Sequence, residues 1–257
     1  MRVVTNRQRI QRNRQIAQYL FFLTLAILIG GLVLTNSTVA RQNDALFFLP
    51  CLITPLGLLS LVVWARLNNQ YVRPPHPEES ISEGLKGINR RSALYNYLLK
   101  PNHVLVSPQG VYSLTTRFQD TRFTVQGEHW TNWKNRGPLA PFFLFFKQEG
   151  LGDPFKQARA EAEIIQKIVD QALPGAKIKV QPVVVFTGSK ATLELDNPAL
   201  PVVYADAKKK PSLKTLIRED KRKDAPVALT DSQIEALDTA FLKTAGAVKS
   251  QVSENEA

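Results

Sequence analysis

The stretch Ile16 to Leu34, IAQYLFFLTLAILIGGLVL, and its counterpart Leu46 to Ala65, LFFLPCLITPLGLLSLVVWA, decide how this chain of 257 residues is read. Neither run contains Asp, Glu, Lys or Arg. At about 1.5 Å per residue, a helix of either length matches the roughly 30 Å hydrocarbon core of a bilayer. Helix is the required form, because an open strand in lipid leaves its amides and carbonyls without partners. Pro50, Pro55 and Gly57 predict a bend or a late start in the second run. The short connection Thr35 to Ala45 then gives a two-helix transmembrane hairpin with both ends on one side. Arg2, Arg7, Arg9, Arg12 and Arg14 precede the first run without an acid, and Arg66 and Arg73 follow the second. The positive-inside bias places both termini and the remaining domain in the cytoplasm, as parts of an integral membrane protein. The competing reading is a signal peptide cleaved after Thr38-Val39-Ala40, against which the length of the first apolar run argues. Even then, the arginines behind the second run would leave the large domain cytoplasmic.

Working outward, residues 1–15 are a basic N-terminus, 16–66 the hairpin, 67–81 a Pro-rich linker, 82–206 an α/β domain, and 207–257 a basic segment with an amphipathic helix. Clustered prolines in Pro74-Pro75-His76-Pro77 make the linker stiff. The net charge of +11 is concentrated in residues 1–15 and 207–223, and the rest of the chain sums to zero. The domain core is therefore no general polyanion surface. The first basic segment is explained by topology, and the second is a solvated face, a site for anionic lipid headgroups, or a contact for nucleic-acid phosphates. A single cysteine, Cys51, inside the second apolar run, excludes a disulfide framework and a Cys-based metal site. Three histidines, His76, His103 and His129, have no i, i+4 pairing, which argues against zinc.

Hydrophobic periodicity predicts a helix over Ser82 to Leu99, ended by Pro101, then strands His103 to Ser107 and Val111 to Phe118 split by the turn Pro108-Gln109-Gly110. Thr121 to Val125 reads as a third strand of that meander. A helix over Asp153 to Leu173 starts at Asp153-Pro154. Ile178 to Thr187, with Val183-Val184-Val185-Phe186, reads as a central strand covered on both faces. A short strand over Pro201 to Tyr204, a short helix over Leu213 to Arg218, and a final helix opened by the capping box Thr230-Asp231-Ser232-Gln233 complete the order. The fold class is a mixed central sheet flanked by helices.

That order resembles the NERD (nuclease-related domain) family, whose core is similar to the restriction-endonuclease fold. The residues that carry the resemblance are Gly84 and Gly87, Val104 to Pro108 with Gly110-Val111-Tyr112, Trp130, Asp153-Pro154 with Gln157, and Val183 to Phe186. It implies metal-assisted phosphodiester hydrolysis, in which carboxylates hold a divalent cation and a lysine orients the attacking water. The family pattern has a glutamate after the second glycine, an aspartate opening the first strand, and Glu-x-Lys on the next. Here the matching positions are Ile88, Asn102, Thr115 and Arg117, and each departs from it. No catalytic residue and no cofactor is expected, because Mg²⁺ would meet only neutral ligands and water, and an arginine cannot accept a proton. The alternative is a Mg²⁺-dependent nuclease with relocated acids, Glu83, Asp120 and Glu128.

The reading of the residues is thus a membrane-tethered, catalytically silent binding or scaffolding module. Arg117, Gln157 and Lys208-Lys209-Lys210 are its candidate binding residues. The candidate partners are the membrane, nucleic acid, anionic lipid or another protein, and a purely structural membrane protein remains the further alternative. The apolar run Pro141-Phe142-Phe143-Leu144-Phe145-Phe146 either fills the core or anchors the domain at the interface, beside Trp130, Trp133, Lys134, Arg136 and Lys147.

Overall fold

The computed structural model describes residues 1–37, 44–132, 152–222 and 229–255. The aromatic run 141–146 and the neighbouring Trp133, Lys134, Arg136 and Lys147 lie outside them. The chain forms two units, one built on Arg7–Pro74 and the other joining Met1–Asn6 to Pro75–Lys134 and Leu151–Ala257.

In the first unit, α1 (Arg7–Asn36) and α2 (Asp44–Leu67) pack together, and α2 ends in a π-helical turn, Asn68–Val72. The late start expected from Pro50 does not occur, since α2 is helical from Asp44 through both prolines. The Thr24 hydroxyl donates to the Leu20 carbonyl at 2.7 Å, which leaves its oxygen to accept from Ser60 at 2.7 Å. Phe21 and Trp64 meet with ring centroids 5.5 Å apart. Gly57 lies where Ile27 crosses closely, since a Cβ there would stand 3.0 Å from its Cγ2. The outward faces stay apolar, with Tyr19, Phe22, Leu32 and Val33 exposed on α1 and Leu56 and Leu59 on α2. Among the described residues, α1 is the one helix long and apolar enough to cross a membrane by length and composition.

The second unit is built on a six-stranded mixed sheet of order β1-β2-β3-β4-β7-β9. Its strands are β1 (Arg2–Thr5), β2 (Ala93–Asn96), β3 (His103–Ser107), β4 (Gly110–Arg117), β7 (Val180–Phe186) and β9 (Val202–Tyr204). The pairs β2-β3 and β3-β4 are antiparallel, while β1-β2, β4-β7 and β7-β9 are parallel. A small sheet of β5 (Arg122–Gln126), β6 (His129–Asn132) and β8 (Thr192–Asp196) stands beside it. Strand β5 therefore does not continue the meander. It pairs with β6 and β8, and its Phe123 and Val125 pack with Phe186, Val202 and Phe155.

Helices cover both faces of the large sheet. On one face, Tyr95, Val104, Val106 and Val111 pack against Ile165 and Val169 of α4 (Pro154–Ala172) and against Leu237 and Phe241 of α6 (Asp231–Asn255). On the other, Leu94, Leu105, Leu114, Val183 and Val185 meet Ile81 of α3 (Pro77–Gly84) and Leu213 and Ile217 of α5 (Leu213–Arg222). Val183, Val184 and Val185 are fully buried, as expected of a strand flanked by β4 and β9. Asp153 caps α4 by accepting from the Lys156 amide at 2.9 Å. Thr230 and Gln233 form the reciprocal capping box of α6.

Two further sequence expectations change. The helix expected over 82–99 is instead α3, starting at Pro77 inside the supposed linker, followed by a turn and strand β2. Gly84, the last residue of α3, must be glycine because a Cβ there would lie 1.8 Å from the Ala205 carbonyl oxygen, and Gly87 turns the chain at φ +79°. The apolar Leu94 and Tyr95 belong to opposite faces of a strand rather than to one face of a helix. The basic N-terminus, moreover, begins with a strand. Residues Arg2–Thr5 pair with Ala93–Asn96, and the Arg2 and Asn6 amides bond the carbonyls of Ser92 and Asn96 at 2.9 and 3.0 Å.

Candidate functional site

Alternation along β4 turns Ser113, Thr115 and Arg117 to the face that α4 covers, the same face as Val111. Helix α4 presents Gln157 and Glu161 there, one turn apart. Thr115 Oγ1 donates to Glu161 Oε2 at 2.6 Å. Gln157 Nε2 donates to Glu161 Oε1 at 2.7 Å, and Gln157 Oε1 accepts from Arg117 Nη2 at 2.8 Å. Arg117 Nη1 donates to the Thr116 carbonyl at 2.9 Å. The result is a chain from hydroxyl to carboxylate to amide to guanidinium, in which the amide bridges charges of opposite sign. Thr115 and Arg117 are buried, so these bonds replace the solvation each group gives up.

Asn102 lies two residues before Val104, which pairs with Ser113. Carried on, that register sets Asn102 opposite Thr115 on the same face, and its carbonyl accepts from the Tyr97 amide at 2.6 Å. Ile88 lies on the other face, packed against the cluster of Leu94, Leu105 and Leu114. Asn102, Thr115 and Arg117 thus fall on one face of the sheet and Ile88 on the other. The donor set does not fit a divalent ion: it offers one carboxylate, Glu161, with both oxygens engaged. Among the described residues, no group of three or more His, Cys, Asp or Glu is gathered to hold a metal.

The other acids named from the sequence each serve a separate contact. Glu83 is exposed and 3.6 Å from Lys86. Asp120 Oδ1 accepts from the Lys190 amide at 3.0 Å. Glu128 forms a fork with the Arg159 guanidinium on α4, which raises the arginine pKa. Of the three lysines, Lys209 clips the 189–191 loop through the carbonyls of Ser189 and Ala191 and lies 5.0 Å over the Tyr204 ring, while Lys208 and Lys210 are exposed.

Glu161 was not named from the sequence. Its signal was its spacing from Gln157 on the same helix, which would have placed a carboxylate wherever Gln157 pointed.

The order of elements, the glycine turn and the covered face of β4 together invite comparison with known families. Residues 77–187 match the family model of NERD, the nuclease-related domain. No curated protein and no solved structure matches the chain. The NERD match begins at the first residue of α3 and closes one residue past β7, so it contains Asn102, Thr115, Arg117, Gln157 and Glu161. Strand β1, both helices of the first unit, and everything from β8 onward lie outside the NERD segment.

A second buried polar group stands at the edge of the NERD segment. Asn96 Nδ2 donates to Thr5 Oγ1 at 3.2 Å, and Asn96 Oδ1 meets His103 Nδ1 at 2.9 Å. His103 is fully buried, and desolvation lowers its pKa to about 3. It is therefore a neutral imidazole at any physiological pH, suited to packing and not to acid catalysis.

Proposed function

We propose that the chain is a membrane-tethered NERD-type domain without nuclease chemistry, which works as a scaffold that holds an anionic partner at the cytoplasmic membrane surface. The observation that carries this reading is the network Thr115–Glu161–Gln157–Arg117, in which Thr115 and Arg117 stand at two positions where the family resemblance implies a carboxylate and a lysine. Arg117 donates to Gln157 and to a backbone carbonyl, and a carboxylate stands one amide away, an arrangement suited to holding the fold rather than a phosphate. Tethering is supported by the apolar outward faces of the packed helices, and the cytoplasmic side by the arginines that flank them. The exposed Lys208 and Lys210 supply charge for anionic headgroups, worth about 1 kcal/mol for each well-placed cation.

The test uses the full-length chain in nanodiscs. Single- and double-stranded DNA with Mg²⁺ or Mn²⁺ is expected to remain uncut, by the native chain and by Glu161→Gln alike. Anionic vesicles are expected to bind in a salt-sensitive way that Lys208→Gln with Lys210→Gln weakens. Metal-dependent cleavage lost in Glu161→Gln, Asp120→Ala or Glu128→Ala would establish a nuclease and overturn the reading. Binding to DNA in place of vesicles would keep the scaffold and change its partner.

A further inference from the structure

We infer that the membrane segment is an insertion within the NERD-type domain rather than an appendage to it. The sheet closes only when the chain has left through α1 and returned on the same side through α2. This rests on the tethering reading above.

The first support is β1, which lies outside the family match and yet is built into the sheet. Its backbone pairs with β2 over all four residues, and its Thr5 hydroxyl accepts from the buried Asn96 amide. Arg2 reaches Asp238 of α6 and the Tyr95 hydroxyl, and Tyr95 donates to the same carboxylate at 2.6 Å. A strand so placed must lie on the same side of the membrane as the domain it completes. Only Asn6 separates it from α1. If α1 crosses, a second crossing has to follow before Pro77, where α3 begins. Cleavage after Ala40 would remove an edge strand, so α1 is retained.

The second support is independent of β1 and lies wholly within the helical unit. Arg14 Nε donates to the Tyr71 carbonyl at 2.6 Å, Phe21 meets Trp64, Thr24 meets Ser60, and Gly57 faces Ile27. A Cβ on Gly31 would stand 3.9 Å from Ile53 Cδ1. One index falls as the other rises, so α2 runs antiparallel to α1 along the length from Arg14 to Gly31. A helix in that register crosses wherever α1 crosses. The shared hydroxyl pair satisfies both groups without water, as a lipid setting requires.

The experiment replaces Cys51 with serine and then introduces one cysteine at a time into the full chain in sealed vesicles: Gln8→Cys, Asn36→Cys and Lys167→Cys, all read with a membrane-impermeant maleimide. Gln8→Cys and Lys167→Cys are expected to label from one side and Asn36→Cys from the other, in a chain of full intact mass. Asn36→Cys labelled from the side of Lys167→Cys, or a chain shortened by the first 40 residues, would overturn the inference while leaving tethering in place. Loss of the chain from the membrane fraction would instead sink the tethering reading. A further variant, Val4→Pro, removes a ladder donor from β1 without touching the arginines or the helices, and is expected to lower the domain's Tm by roughly 5 °C. An unchanged Tm would mean that β1 is no part of the domain.

Discussion

The sheet carries two buried polar groups that differ in kind. At its centre, Thr115, Glu161, Gln157 and Arg117 join a charged carboxylate to a charged guanidinium across α4 and β4. At its edge, Thr5, Asn96 and His103 are all neutral and are drawn from three strands. The central group lies within the segment that matches the NERD model, and Gln157 keeps it in touch with solvent. The edge group is sealed, with Asn96 and His103 almost wholly hidden. The comparison teaches that burial alone does not mark a site. The edge group is the more deeply buried of the two, and it specifies where a strand docks.

The edge group should be the more costly to break. Asn96→Leu leaves His103 Nδ1, as Nε2 already is, without a hydrogen-bond partner in a dry interior and removes the donor that Thr5 accepts, a change expected to cost about 2–4 kcal/mol. Chemical denaturation of the full chain measures it. His103 adds a pH dependence of defined sign. Its folded pKa lies far below the unfolded value, so its contribution is complete above about pH 6.5 and is lost as the pH falls toward about 3. Within that window the loss approaches about 1.4 kcal/mol per pH unit. His103→Gln should flatten the slope between pH 6.5 and 4.5. A slope that survives the substitution would assign acid sensitivity to other groups.

The central group should respond less, because it borders water. Glu161→Ala strands the buried Thr115 hydroxyl and one end of Gln157, at about 1–2 kcal/mol. Glu161→Gln keeps an acceptor for Thr115 and should cost less than about 1 kcal/mol. If the two substitutions proved equally costly, the charge of Glu161 rather than its hydrogen bonds would be holding the network. That result would restore the case for an electrostatic role toward a ligand.

The two groups also differ in how far they could be read beforehand. Strand β7 was legible because a run of Val183, Val184, Val185 and Phe186 buried on both faces leaves a local pattern, and α4 and α6 because their caps stand in the sequence at fixed spacing. Thr115 and Arg117 fall on one face because a strand's alternation is invariant. Glu161 was not legible, since its meeting with Thr115 depends on how a helix lies across a strand some 46 residues earlier. Strand β1 was hidden for a similar reason: four residues in an arginine-rich leader carry little pattern, and their partner lies about 90 residues away. Strand β2 reads as helix in the sequence because Leu94, Tyr95, Leu98 and Leu99 also fit a helical stripe. Only the Gly87 turn, at positive φ, and the pairing of β2 on both sides decide against it.

The smallest expected effect separates the two ways in which β1 could be held. Arg2 is about half exposed and bridges to Asp238, a geometry in which solvent screens most of the attraction. Arg2→Gln should therefore lower stability by less than about 1 kcal/mol at low salt, and by less still in 1 M salt. The Tyr95 hydroxyl donates to the same Asp238, and burial, reinforced by that hydrogen bond, raises its pKa above the usual 10. Its contribution is complete below about pH 10 and is lost as the pH rises further, so Tyr95→Phe should soften the alkaline fall in stability that remains in Arg2→Gln. If Arg2→Gln cost as much as Val4→Pro, β1 would be held by charge and would loosen with salt. A small loss beside a large one for Val4→Pro would mean that the backbone ladder and the buried Asn96 amide hold the strand, and that the chain's first residues are as much a part of the sheet as its centre.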